Sequence, residues 1–244
     1  GCGQRRFARQ DFERIEKRIM KSSHFWRAIG KTAVVCLALT FTVGGVLAAD
    51  AKKPLYQIDF EKEDVGQEPL DFLILDGAFT VAQEQGNRVL ILPGAPLESF
   101  GLLFGPTERD GVEVRARIFS SRKRRLFPSF GVGLNGVSGY RFLCSPNKAE
   151  IELKKGDEVK KAIPLKWKTD TWTQFRLQVV KVKDGQWKVR GKLWEQGTKE
   201  PEKWQIEIEE TEEPLHGKAA IWGTPYSGKT IKYDDLKVVA VGGK

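Results

Sequence analysis

The chain has 244 residues and a formal net charge of +9, from 41 Lys and Arg against 32 Asp and Glu. With 40% hydrophobic and 30% charged residues, the composition is globular and excludes a collagen, a wholly disordered chain and a multi-span membrane protein. Three cysteines exclude a small fold held together by several disulfide bonds, and two histidines disfavour a metal site built from histidine.

The positive charge is concentrated near the N-terminus. Residues 1–48 hold nine Lys and Arg against three Asp and Glu, a net +6, which leaves +3 for the other 196 residues. A protein that binds nucleic acid needs a basic face that neutralises many phosphates. The near-neutral body therefore argues against nucleic acid as a partner.

A secretory signal peptide is predicted over residues 20–49. Lys21, Arg27 and Lys31 precede an uncharged apolar run of 16 residues at 32–47, and small residues follow it. The alternative is an uncleaved membrane anchor, the one case in which we expect membrane contact, although a spanning helix usually needs about 20 apolar residues. The pattern predicts an exported protein of the periplasm, the cell envelope or the external medium.

Residues 1–19 stand before the only methionine of the chain, Met20. Since the signal pattern begins at Met20, we expect translation to start there, which makes 1–19 a non-native upstream extension. A basic cytoplasmic extension is the alternative.

Residues 50–244 are predicted to form one domain made of strands. Hydrophobic residues alternate with polar ones, as at 112–118, 175–179 and 206–208, which is typical of antiparallel sheets with one buried face. Turn sequences such as that at 85–87 separate the runs. Strands are also predicted at 55–60, 78–83, 88–92, 100–104, 129–134, 139–144, 148–154, 158–164, 186–195, 217–223 and 230–241. About fourteen short strands predict a β-sandwich or a barrel.

Four segments carry a family resemblance: 56–61 (YQIDFE), 172–177 (WTQFRL), 217–223 (GKAAIWG) and 231–238 (IKYDDLKV). They resemble strands of the concanavalin A-like and laminin-G-like jelly-roll domains of exported bacterial proteins, including the 3-keto-disaccharide-hydrolase-like family. The resemblance extends over 55–241. It implies an all-β fold, a two-sheet antiparallel β-sandwich with concanavalin A-like jelly-roll topology.

Glycosidases of this fold carry Glu-x-Asp-x-Glu on one strand, because their mechanism needs two carboxylates that flank the scissile bond. The nearest match is Glu150, Glu152 and Lys154, in which the middle acid is Glu and the third is replaced by lysine. The glycosidase motif is therefore absent, and no catalytic residue is assigned. A sugar-active enzyme of the 3-keto-disaccharide-hydrolase-like type stays open as an alternative.

Asp234 interrupts the apolar alternation of the last predicted strand. The resemblance implies one interpretation, since many carbohydrate-binding jelly rolls place an acid here, facing the first strand, around a structural Ca²⁺. Glu61 and Asp234 would then be the side-chain ligands, because calcium prefers carboxylate and carbonyl oxygens. In the other interpretation, Asp234 only accepts hydrogen bonds from backbone N–H groups of the terminal strands.

Four residues are candidates for a ligand-binding face. Trp194 falls in phase with the polar side of its predicted strand, while Tyr140 with Arg141, and Tyr226, lie beside glycine-rich turns. Aromatic rings stack on the apolar C–H face of a sugar, and arginine can hydrogen-bond to it. The basic run 122–125 could hold sulfate or carboxylate groups of an acidic glycan, or be a solvated hairpin loop.

The other notable side chains are assigned to the core. Trp172 and Trp222 sit in the apolar register of their strands, and Trp187 falls in phase with valine and leucine. Cys144 lies in an alternating strand and is interpreted as a small buried hydrophobe.

The leading functional hypothesis is non-catalytic binding of a polysaccharide or other envelope glycan. The alternatives are the sugar-active enzyme and a structural or protein-interaction module of the cell envelope. A sheet face lined by aromatic residues and arginine favours a glycan, facing carboxylates favour an enzyme, and a flat apolar patch favours a protein partner.

Overall fold

The computed structural model describes residues 53–95 and 98–242. The predicted upstream extension (1–19) and signal segment (20–49) lie outside this part of the chain. Within it, the backbone forms fifteen β-strands and no helix, hence no helix that could cross a membrane. The strands are β1 (Tyr56–Ile58), β2 (Leu73–Asp76), β3 (Thr80–Glu84), β4 (Asn87–Leu92), β5 (Phe100–Glu108), β6 (Val112–Ser120), β7 (Ser129–Leu134), β8 (Tyr140–Ser145), β9 (Glu150–Lys155), β10 (Glu158–Pro164), β11 (Thr171–Lys183), β12 (Gln186–Glu195), β13 (Ile206–Glu210), β14 (Gly217–Thr224) and β15 (Ile231–Ala240).

The strands form two antiparallel sheets, which confirms the predicted all-β sandwich. Sheet I has the order β13-β12-β11-β6-β15-β4-β3, and β1 also pairs with β15. Sheet II has the order β10-β9-β8-β7-β14-β5-β2. Strands that are distant in sequence lie side by side in both sheets, such as β6 beside β15 and β7 beside β14. These crossovers give the jelly-roll topology.

The core lies between the two sheets and follows from the alternation in the sequence. In β6, Val112, Val114, Ala116 and Ile118 are all 1% exposed or less, while the residues between them point away from the core. Aromatic rings fill the centre of the sandwich: the rings of Phe130–Phe175 and of Phe142–Phe175 both lie 5.8 Å apart at steep angles. Cys144 is fully buried, as predicted, and burial raises the pKa of its thiol.

The outer face of sheet I is covered by its own side chains. Glu113 is 0% exposed because Arg176 donates two hydrogen bonds to it, at 2.9 and 2.7 Å, and Arg115 and Gln178 donate others. Trp204, which precedes β13, lies over this face with cations around its ring. They are Arg190 at 4.9 Å, Lys192 at 5.0 Å and Arg176 at 5.5 Å. This part of sheet I is therefore covered by its own side chains. A pocket of about 100 Å³ opens farther along sheet I beside Trp194, and another opens on sheet II.

Candidate functional site

Trp222 lies flat across the outer face of sheet II. In β14, Ala219 and Ile221 point into the sandwich core, so Ala220 and Trp222 point outward, where they pack with Leu103 as a second, smaller apolar cluster. The assignment of Trp222 to the sandwich core was therefore wrong. The strand is apolar on both faces, so its hydrophobic pattern does not show which face Trp222 occupies.

Glycines on the flanking strands make room for the indole ring. A Cβ atom at Gly101 of β5 would lie 2.6 Å from Cε3 of Trp222, and one at Gly133 of β7 would lie 2.8 Å from its Nε1. Both distances are too short for any side chain. Glycine inside a strand often marks such a close approach, so the G-V-G sequence at 131–133 was the sequence signal for this site.

Arg141 stacks on the exposed side of Trp222. Its guanidinium carbon lies 3.9 Å from the centroid of the indole ring, a cation–π contact that leaves Trp222 only 9% exposed. One terminal nitrogen donates to the carbonyl oxygen of Val137 at 3.0 Å, and the other lies 3.7 Å from a carboxylate oxygen of Asp157. Desolvation by burial lowers the pKa of Arg141, and the charge of Asp157 opposes this shift.

Two buried N–H donors of this pair have no partner among the described residues. They are Nε of Arg141 and Nε1 of Trp222. A buried donor without an acceptor costs about 1–3 kcal/mol. Both atoms are covered by the surrounding side chains and the sheet, so this cost belongs to the packing of the stack.

A shallow pocket of about 80 Å³ opens beside the stack. Besides Arg141 and Trp222, its lining includes Leu143, Lys154 and three hydroxyl residues, of which Ser99 and Thr224 are joined by a 2.8 Å hydrogen bond. Since one water molecule takes up about 30 Å³ in the liquid, the pocket has the size of a hydroxyl or hydroxymethyl substituent. A larger ligand would lie along the face and place one such group in the pocket.

The carboxylates of β9 lie on the same outer face. Glu150, Glu152 and Lys154 alternate along the strand and therefore share one side of the sheet. Glu152 is only 5% exposed, and it accepts hydrogen bonds from Ser145 at 3.1 Å and from the ammonium group of Lys148. Glu152, the middle acid of the incomplete glycosidase motif, is thus already held in an ion pair with Lys148.

The predicted binding residues do not form one cluster. Tyr140 is 1% exposed and points into the core, so its ring cannot stack on a ligand at the surface. Its neighbour Arg141 points outward, because adjacent residues of a strand face opposite sides. Trp194 lies half-buried on the outer face of sheet I, opposite Gln174. Tyr226 is 39% exposed, two residues beyond Thr224. Of the four, only Arg141 lines the pocket on sheet II, while Trp194 lines the separate pocket on sheet I.

The predicted calcium ligands are engaged by protein donors. Asp234 is 1% exposed, and its Oδ2 accepts hydrogen bonds from Arg117 at 2.6 Å and from Asn87 at 2.8 Å. Its Oδ1 accepts one from the backbone N–H of the adjacent Asp235. The second interpretation, in which Asp234 accepts hydrogen bonds only from backbone N–H groups of the terminal strands, therefore does not include its two side-chain donors. Glu61 accepts a hydrogen bond at 2.9 Å from the backbone N–H of residue 88.

These residues do not fit a calcium ion. Calcium needs six to eight oxygen ligands, whereas the guanidinium of Arg117 already lies against the Asp234 carboxylate. Among the described residues, no group of three or more His, Cys, Asp and Glu side chains could hold a metal. The side-chain partner of Asp234 is a cation of the protein itself, contributed by the neighbouring strand β6.

The comparisons with known proteins define the class of fold. No family model matches the chain, and no curated protein matches it in sequence. Among solved structures, the carbohydrate recognition domain of Emp46p, in a metal-free form, matches at TM-score 0.53 and 10% identity over 78% of this chain and 99% of its own. The exoplasmic/lumenal domain of VIP36, bound to Ca²⁺ and Man3GlcNAc, matches at TM-score 0.50 and 9% identity, over 79% of this chain and 91% of its own.

A third structure comes from a study of endo-acting O-glycanases of the human gut microbiota. It matches at TM-score 0.51 and 11% identity, over 78% of this chain and all (100%) of its own. At such low identities, these similarities establish the fold alone. The described part of the chain is a concanavalin A-like β-sandwich, which confirms the fold that the family resemblance implied.

Proposed function

We propose that this protein is exported and binds a polysaccharide, without cleaving it, along the outer face of sheet II. The observation that carries the proposal is the Arg141–Trp222 stack beside the pocket of sheet II. The carbohydrate ligands named for two of the structural neighbours support the same class of ligand. Export rests on the signal-like segment at 20–49 of the sequence.

A sugar complements this face chemically. Each sugar ring presents apolar C–H groups on its faces and hydroxyl oxygens on its rim. The apolar part of the surface comes from Leu143 and the edge of Trp222, and the hydroxyl oxygens can accept hydrogen bonds from the charged groups of Arg141 and Lys154, which line the pocket. Small-molecule sites typically combine apolar walls with a few well-placed polar groups in this way.

Affinity electrophoresis of the purified protein through gels that contain neutral or acidic polysaccharides tests the proposal. We expect one or more gels to retard the protein and Arg141→Ala to remove the retardation. Arg190→Ala is the matched control, because Arg190 stacks on Trp204 at 4.9 Å on the outer face of sheet I. Unchanged retardation of Arg141→Ala would contradict the proposed site, and release of reducing ends from the polysaccharide would assign the enzyme instead.

A further inference from the structure

A strongly basic hairpin joins β6 to β7. Lys123 and Leu126 exchange two backbone hydrogen bonds of 3.0 Å, so Arg124 and Arg125 form the tip of the turn. The four cations of residues 122–125 are all exposed. Their side chains make no hydrogen bond or ion pair with another described residue.

The folding of the hairpin does not by itself explain the four adjacent cations of residues 122–125. Four adjacent positive charges repel one another. The backbone of Arg124 has φ 57°, a left-handed conformation that glycine and asparagine adopt more readily than arginine. An arginine at the position where the turn favours glycine points to a role for its side chain outside the folding of the turn.

The hairpin lies at the end of the sandwich where the pocket opens. It leads directly into Ser129, the first residue of β7, which lines the pocket. Across the same end, Lys229 follows β14 in the loop to β15 and is also exposed.

Asp170 ties these loops together. Its carboxylate accepts a 2.6 Å hydrogen bond from the Ser121 hydroxyl. Hydrogen bonds from Ser121 and Thr169 lower the pKa of Asp170, and the nearby charges of Arg122 and Lys229 lower it further. Arg122 of the hairpin and Lys229 thus lie near the same acidic residue.

We propose that the ligand of this protein is an anionic polysaccharide, whose chain runs from the Arg141–Trp222 pocket to the hairpin 122–125. This inference rests on the proposed function and narrows its ligand to glycans that carry sulfate or carboxylate groups. Arginine suits both groups, because its planar guanidinium can donate two parallel hydrogen bonds to them. Lys154, which makes no ion pair with a described residue, adds a positive charge inside the pocket.

The charge of the remaining chain favours a glycan over nucleic acid or a lipid surface. Residues 49–244 carry a net charge of only +3, so the basic hairpin is a local feature of an otherwise balanced surface. Nucleic acid binding relies on a broad positive face. Basic clusters that bind anionic lipids lie beside a membrane-spanning helix or on an amphipathic helix, whereas this cluster lies on a β-hairpin. A polysaccharide can instead use the hairpin for its charged groups and the pocket for its hydroxyls.

The test measures binding of the full protein to dextran sulfate, polygalacturonate and neutral dextran at 0.15 M salt. The test variant is Arg124→Gly with Arg125→Ser, and the control is Lys181→Ser with Lys183→Ser, which removes the same charge from the far end of β11. We expect a dissociation constant at least about tenfold higher for the test variant with one of the acidic polysaccharides. We expect no change for the control, and an equal or higher melting temperature for the test variant, because glycine relieves the left-handed turn.

Each outcome separates the two proposals. If Arg141→Ala abolishes polysaccharide binding and the hairpin variant binds as the wild type does, the proposed function stands and the anionic ligand is wrong. If no polysaccharide binds, both proposals fail.

If single-stranded DNA or vesicles of phosphatidylglycerol compete with the acidic polysaccharide at equal charge concentration, the hairpin is a general anion site and the glycan assignment is overturned. Dextran sulfate and polygalacturonate distinguish sulfate from carboxylate as the recognised group.

Discussion

The guanidinium of Arg141 stacks on the indole ring of Trp222 at 3.9 Å, although 81 positions separate the two residues in the chain. The contact forms because β8 and β14 both lie beside β7, whose outward positions opposite them are glycines. Two N–H donors of the pair remain without a protein partner among the described residues. This arrangement is the basis of the ligand-binding face that we propose on sheet II.

The flat position of Trp222 depends on its glycine neighbours. In Gly101→Ala the new Cβ would lie 2.6 Å from Cε3 of the indole, so the ring must move. We expect a loss of about 1–3 kcal/mol in the free energy of unfolding, together with weaker polysaccharide binding. Urea unfolding and affinity electrophoresis measure the two effects. Gly242→Ala is the control, since nothing lies within 4 Å of its Cβ position, and equal effects of both variants would contradict the packing described here.

The buried carboxylate of sheet I stabilises the fold and takes no part in binding. Glu113→Ala removes two of the three hydrogen-bond acceptors of Arg176 and leaves only Glu200, so we expect it to cost about 3 kcal/mol in urea unfolding. Glu209→Ala removes only an exposed partner 3.7 Å from Lys188 and should cost less than about 1 kcal/mol. Polysaccharide binding by the folded fraction of either variant should match the wild type. A specific loss of polysaccharide binding in Glu113→Ala would show that the ligand binds to sheet I and not to sheet II.

Cys144 should not react with thiol reagents in the folded protein. Its side chain is 0% exposed, and desolvation raises the pKa of the thiol, so little reactive thiolate is present or accessible at pH 8. Labelling with a thiol reagent followed by peptide mass spectrometry should modify Cys144 only in denaturant. Modification at the same rate in native buffer would show that the core around β8 is open.

Calcium should have no effect on stability. Because Arg117 and Asn87 already bind the Asp234 carboxylate, we expect calcium or a chelator to shift the melting temperature by less than about 1 °C. Arg117→Met, in contrast, leaves a buried carboxylate without its cation and should lower the melting temperature clearly. A calcium-dependent rise in the melting temperature of the wild type would contradict this expectation and support a metal site at Glu61 and Asp234.

Period-two alternation predicted the fold well where one face of a strand is polar. The strand at 112–118 and its inward residues are confirmed in β6, and the predicted strand 186–195 coincides with β12. Strand β2 was missed, because it is a short edge strand, Leu73–Asp76, whose apolar residues are largely exposed. Short strands of this kind leave no alternating pattern in the sequence.

The site was harder to predict because its contacts join distant strands. Tyr140 and Arg141 were placed on one face, but adjacent strand residues point to opposite sides, and only Arg141 points outward. Trp222 was assigned to the core because β14 is apolar on both faces. Asp234 was interpreted as a metal ligand because nothing in the local sequence indicates its partner, Arg117.

The most direct test of the binding face is the response of the indole N–H groups to a ligand. In a ¹H–¹⁵N spectrum, the Nε1–H signal of Trp222 can be assigned by its loss in Trp222→Phe, and that of Trp194 by its loss in Trp194→Phe. On addition of the retarding polysaccharide, we predict that the Trp222 signal shifts, because the ligand lies against the Arg141–Trp222 stack, while the Trp194 signal stays in place. A shift of Trp194 with an unchanged Trp222 would contradict the account and place the ligand on sheet I.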